Sequence, residues 1–80
     1  MPVFRVSEPD ALPSILEDLT ARGDCLAEVI GPNRLCVSVL GSYNSDAMEM
    51  EAEIRIRAWQ ASQRARGIEV DIDLDRRRRN

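Results

Sequence analysis

The chain has 80 residues, 11 basic against 14 acidic side chains for a formal net charge of −3, and no histidine. This length fits one small domain with a modest core, and a hydrophobic content of 44% excludes a disordered chain. The acidic pI of about 4.8 argues against a general nucleic-acid binder, and the missing imidazole removes the commonest general base, metal ligand and pH switch.

Val3-Phe4-Arg5-Val6-Ser7 is rich in β-formers and predicts a first strand, closed by a Glu8-Pro9-Asp10 turn. Leu12, Ile15, Leu16 and Leu19 then follow amphipathic-helix spacing, with Asp10 as expected N-cap, Pro13 in the first turn and Gly23 at the C-terminus. Residues 25–30 and 35–40 are two apolar runs around Gly31-Pro32-Asn33-Arg34, the pattern of a β-hairpin. A loop, Gly41-Ser42-Tyr43-Asn44-Ser45, supplies N-cap candidates for the next element.

Residues 46–66 allow two readings. Met48 to Ala58 alternates apolar and polar as a strand does. As a helix it shows two stripes, one of Met50, Ile54, Ala58, Ala61 and Ala65, the other of Met48, Ala52, Ile56 and Trp59. Good helix formers, acid-first Glu51–Arg55 and Glu53–Arg57 pairs, and terminal arginines before Gly67 favour the helix. The run from Ile68 to Asp75 alternates strictly and predicts a last strand, with Ile68, Val70, Ile72 and Leu74 inward and four acids outward. Arg76 to Arg79 and Asn80 are expected to form a solvated, arginine-rich tail on a single domain of residues 1–75.

The order βαββαβ predicts an α+β, ferredoxin-like fold: a four-stranded antiparallel sheet with two helices on one face. Right-handed crossovers would place the first and third strands centrally and the second and fourth at the edges. Such a sheet should alternate apolar and polar, and the central hairpin does not. A turn centred on Pro32-Asn33 opposes Cys36 to Val29 and Cys25 to Leu40. One face would carry Leu26, Glu28, Ile30, Leu35, Val37 and Val39, and the other Cys25, Ala27, Val29, Cys36, Ser38 and Leu40. Both are largely apolar, and the second helix stripe adds to the excess. Monomers seldom expose large apolar patches. A homo-oligomer, in the first instance a dimer, is therefore expected, with Val29, Cys36, Val37, Ser38, Leu40, Met48, Ile56 and Trp59 as candidate interface.

The chemical candidates are weaker. In that register the cysteines share a face but stand roughly 13 Å apart along the strands, beyond the ~7 Å Cα separation that a disulfide tolerates. No zinc set accompanies them. The acidic ladder of Glu69, Asp71, Asp73 and Asp75 spaces its carboxylates about 6.8 Å apart, and fits an aggregation-blocking edge better than a metal site. Gly41, Ser42, Asn44 and Ser45 form a candidate anion or ligand loop before a helix start, though without P-loop spacing. No catalytic residue, cofactor or metal is expected.

Asp10-Ala11-Leu12-Pro13-Ser14-Ile15-Leu16 resembles the turn into the first helix of ACT regulatory domains, though without the glycine usual there. That resemblance implies a small ligand near Pro9 to Leu12, bound against a partner chain. Three readings result: a non-catalytic oligomeric interaction or regulatory module; a small dimeric ligand-binding protein or enzyme with an inter-chain pocket; and a nucleic-acid accessory acting through the arginine tail. Strand-three aromatics, which an RNA-binding sheet of this kind would want, are absent. With no signal-like start and no bilayer-length apolar run, a cytoplasmic chain without membrane contact is expected.

Overall fold

The computed structural model describes residues 2–75; the expected arginine tail lies outside them. Four strands and two α-helices follow in the order β1 (Val3–Val6), α1 (Leu12–Thr20), β2 (Cys25–Gly31), β3 (Arg34–Val39), α2 (Ser45–Arg64) and β4 (Ile72–Leu74), with a 3-10 turn over Pro9–Ala11. The sheet order is β2-β3-β1-β4, and every neighbouring pair is antiparallel. This is an α+β fold.

One cluster of buried side chains joins the two layers. From the sheet come Phe4, Val6, Cys25, Leu35, Val37, Val39 and Ile72; from the segment before β4, Val70; from the helices, Leu12, Ile15, Leu19, Ala52, Ile56 and Trp59. Both helices therefore lie on the same side of the sheet. The opposite sheet face carries Val3, Arg5, Leu26, Glu28, Arg34, Cys36 and Ser38, as the strand registers require.

The hairpin register departs from the expectation. Gly31 does face Arg34, as the turn dictates, but Val29 faces Leu35 and Cys25 faces Val39. Ile30 is the extra residue of a β-bulge, and one extra residue flips every side chain beyond it to the other face. Cys25, Ala27 and Val29 thus share the helix-facing side with Leu35, Val37 and Val39, while Leu26 and Glu28 turn outward with Cys36 and Ser38. Cys25 and Cys36 consequently stand on opposite faces, not the same one.

Residues 45–64 form the helix, closed by Gly67 at φ +82°. The amide of Ile68 reaches back to the Gln63 carbonyl at 2.9 Å, a wrap that a left-handed glycine permits. The buried stripe is Ala52, Ile56 and Trp59, with Met48 packed at its edge. Trp59 donates its indole N–H to Ser14 Oγ at 3.3 Å, tying α2 to α1. Asp10 does not cap α1; it lies within the 3-10 turn, and Ala11 occupies the capping position without a side-chain bond.

The last strand is shorter than its alternation suggests. β1 ends at Val6, and beyond Ser7 the chain turns at Pro9, so residues 68–70 have no strand to pair with. Their backbone finds other partners: the Ile68 amide donates to the Gln63 carbonyl at 2.9 Å and Gln60 of α2 donates to the Val70 carbonyl at 2.7 Å, while the Asp71 amide that follows donates to Ser7 Oγ at 3.0 Å. Val70 and Ile72 still point into the core, whereas Ile68 is 44% exposed. Large-to-small changes in a packed core cost transfer energy and leave a cavity. Ile72→Ala and Ile56→Ala should each lower unfolding free energy by about 2–5 kcal/mol in urea titrations; Ile68→Ala should lower it by less than about 1 kcal/mol.

Candidate functional site

The expected interface residues separate into two groups. Val37, Ile56 and Trp59 are buried at 0%, 0% and 5% exposure, and Ser38 is also buried. Val37 points toward the helices with Leu35 and Val39, and the sheet takes up the Met48–Trp59 stripe of α2, so these side chains are not available to a partner; Ser38 lies on the opposite sheet face beside Cys36. Val29 and Leu40 are exposed, and Cys36 is half-buried. The large apolar side chains that remain outside are Leu26, Val29, Ile30 and Leu40 around the hairpin, Tyr43 in the loop that follows, Met50 and Ile54 on α2, and Ile68 beyond it. Sequence periodicity showed both stripes of α2 but carried no sign of which one the sheet would claim.

On the open sheet face a shallow depression is lined by Leu26, Ala27, Glu28, Cys36 and Ser38. At its far side the register sets Arg5 directly opposite Arg34. Two cations at that spacing repel, and Asp75 reaches both, 3.2 Å from Arg5 Nη2 and 3.3 Å from Arg34 Nε. The fourth acid of the expected outward ladder is thus a bridge on the sheet face, with its side chain only 16% exposed. Asp71 and Asp73 remain exposed. Among the described residues no group of three or more Cys, Asp or Glu side chains is arranged to hold a metal ion.

The loop before α2 behaves as a helix start. Asn44 Oδ1 accepts the Ala47 amide at 2.8 Å, a capping bond. Ser42 donates to the Glu51 carboxylate at 3.4 Å, so a negative charge already stands beside the N–H groups that an anion would use. Gly41 makes the turn at φ +84°, and Ser45 is the first helical residue. Near the 3-10 turn, Glu8, Asp10, Ala11 and Ser14 border an open depression against Trp59 and Val70. Acidic groups at its rim make it a poor seat for an anionic ligand.

Two titrating groups are perturbed at the entry to β2. Arg55 of α2 donates to Asp24 Oδ2 at 2.7 Å and to the Glu51 carbonyl at 3.0 Å. That guanidinium contact holds the Asp24 carboxyl below its ordinary range, against a smaller opposing effect of desolvation. Beside it, burial pushes the Cys25 thiol above its usual value, which leaves it a weak nucleophile.

No protein-family model, curated protein or solved structure matches the chain. Among the described residues no helix is long and apolar enough to cross a membrane.

Because the two thiols lie on opposite faces, native labelling should distinguish them. Iodoacetamide should modify Cys36 first, and Cys25 only at the rate of transient opening, as read by peptide mass spectrometry. The Asp24 contact should appear in the pH dependence of folding. Its pKa is lowered in the folded state, so its contribution is present above the unfolded carboxylate range and is lost as pH falls through the folded value. The native chain should therefore exceed Asp24→Asn in stability near neutral pH, and the two should converge in acid denaturation series.

Proposed function

We propose that this chain is a non-catalytic oligomeric interaction or regulatory module of ferredoxin-like architecture. The βαββαβ order, the sheet order with β1 and β3 inside, and the single helix-covered face support that architecture. The observation that carries the functional reading is the placement of the exposed apolar side chains. Leu26 on the open sheet face is 58% exposed, and Met50 and Ile54 on the far side of α2 are 63% and 60% exposed. Neither layer of the molecule is polar throughout its outer surface.

The energetic setting favours association. An 80-residue chain has little stability to spare, and apolar surface left in water forgoes roughly 25 cal/mol per Å² that a partner would recover. A second copy is the simplest partner, since it is present wherever the chain is made. The exposed thiol-bearing depression on the sheet lacks an acid–base pair poised around Cys36, which favours binding over turnover as its role.

Sedimentation equilibrium of the full chain from about 1 to 100 µM tests this reading. The 9.0 kDa chain should give a mass that rises with concentration toward that of a dimer. A constant monomer mass across the range would contradict it.

A further inference from the structure

α2 has two apolar stripes, and the sheet uses one. At about 100° per residue, Met50, Ile54 and Ala61 project roughly 180° away from the buried Ala52 and Ile56. From Ala47 the outer stripe runs through Met50, Ile54, Ala58 and Ala61 to Ala65, at spacings of 3, 4, 4, 3 and 4 residues. That is an 11-residue period of about 3.67 residues per turn, which stays nearly straight along a helix. The stripe is bulky at its N-terminal end and small at its C-terminal end.

Charge divides along the same helix. From Ser45 to Ile54 the ionised side chains are Asp46, Glu49, Glu51 and Glu53; from Arg55 to Arg66 they are all arginine. A parallel copy would set acid against acid and arginine against arginine. An antiparallel copy sets each acidic half on a basic half, and also opposes the two helix dipoles favourably.

We propose that α2 pairs with α2 of a second copy in antiparallel orientation, seating Met50 and Ile54 of each chain on Ala61 and Ala58 of the other. With the two-fold axis at the level of Arg55 and Ile56, Ile54 comes opposite Ala58, Met50 opposite Ala61 and Ala47 opposite Ala65. Large side chains meet small ones along most of the stripe, which lets the helices approach closely. An antiparallel pair also sets each flank against the same flank of its partner. Asp46, Glu53, Arg57 and Arg64 share one flank, and the same axis brings Asp46 to Arg64 and Glu53 to Arg57 across the interface. The two-fold repeats both pairs. Within one chain Arg57 already pairs with Glu53 at 3.2 Å and Arg64 with Glu69 at 2.9 Å. These contacts are exposed and weak alone, so the partner's acids extend them into networks.

The sheet edge at β2 suits self-association less. β2 is bulged at Ile30 and carries Glu28 at mid-strand, two features that blunt an edge against strand pairing.

This inference rests on the oligomeric reading, and its test separates the two. Sedimentation of the full chain is compared with Ile54→Glu, Asp46→Arg, the reversed pair Asp46→Arg/Arg64→Asp, and Leu26→Asp, each checked by circular dichroism. Ile54→Glu should weaken the dimer roughly hundredfold or more, because it buries a charge against Ala58. Asp46→Arg should weaken it roughly tenfold, and the reversed pair should return it to near the native constant. Leu26→Asp separates the two apolar surfaces: it should leave the dimer unchanged, and a loss as large as that expected of Ile54→Glu would put the seam on the sheet face and overturn the α2 pairing. A dimer that survives Ile54→Glu, or a reversed pair no tighter than Asp46→Arg alone, overturns the α2 pairing but not the oligomeric reading. A native chain that stays monomeric overturns both.

Discussion

The extra residue at Ile30 governs how the rest of the chain packs. The Gly31–Arg34 turn alone would oppose Val29 to Cys36, and each face of the hairpin would then mix core and surface side chains. By stepping past Ile30, β2 restores Val29 to Leu35 and gathers six small or branched side chains of the hairpin on the helix side. That uniform apolar surface is what α1 and α2 lie on. A β-bulge is normally a local kink; here its consequence extends to both faces of the sheet, because side-chain direction alternates with a period of two. The outward face becomes mixed in polarity, with Leu26 and Glu28 beside Cys36.

With that surface in place, α2 has to choose which of its stripes to bury. Ile56 and Trp59 are larger than Ala58 and Ala61 and bury more apolar area, so the hydrophobic effect favours the stripe that holds them. Trp59 then reaches Ser14, and Gln60 and Arg57 reach the carbonyls of Val70 and Ile72. These bonds hold the short β4 against the core where the ladder with β1 gives out. The Arg55–Asp24 contact fixes the same helix to the start of β2. A single rotational setting of α2 is thereby specified from several directions.

The same setting exposes the opposite stripe and the flanks that carry its charges. The outer surface of the helix is organised: acidic side chains toward the start of α2, arginines toward its end, and Met50 and Ile54 among the acids of its first half. On the sheet face Asp75 offsets the facing Arg5 and Arg34 within the chain. The two outer surfaces therefore differ in character. The helix presents acidic side chains toward one end and arginines toward the other, whereas the sheet presents a shallow, half-apolar depression lined by Leu26, Glu28, Cys36 and Ser38.

Local patterning determined much of this protein. The helix over Leu12–Thr20 is legible in its 3.6-residue spacing, the hairpin in two β-rich runs about Gly31-Pro32-Asn33-Arg34, and the end of α2 in Gly67. These signals involve neighbours within a few residues, where propensity and turn chemistry act. The tertiary structure decided three things. The bulge moved Cys25, Ala27 and Val29 to the side that the helices cover and set Cys25 and Cys36 on opposite faces. The competition between stripes buried Ala52, Ile56 and Trp59, with Met48 at their edge, and freed Met50 and Ile54. The length of β1 ended β4 at three paired residues. In each case the deciding quantity was the fit of one element against another distant in sequence, and no window of neighbouring residues contains that information.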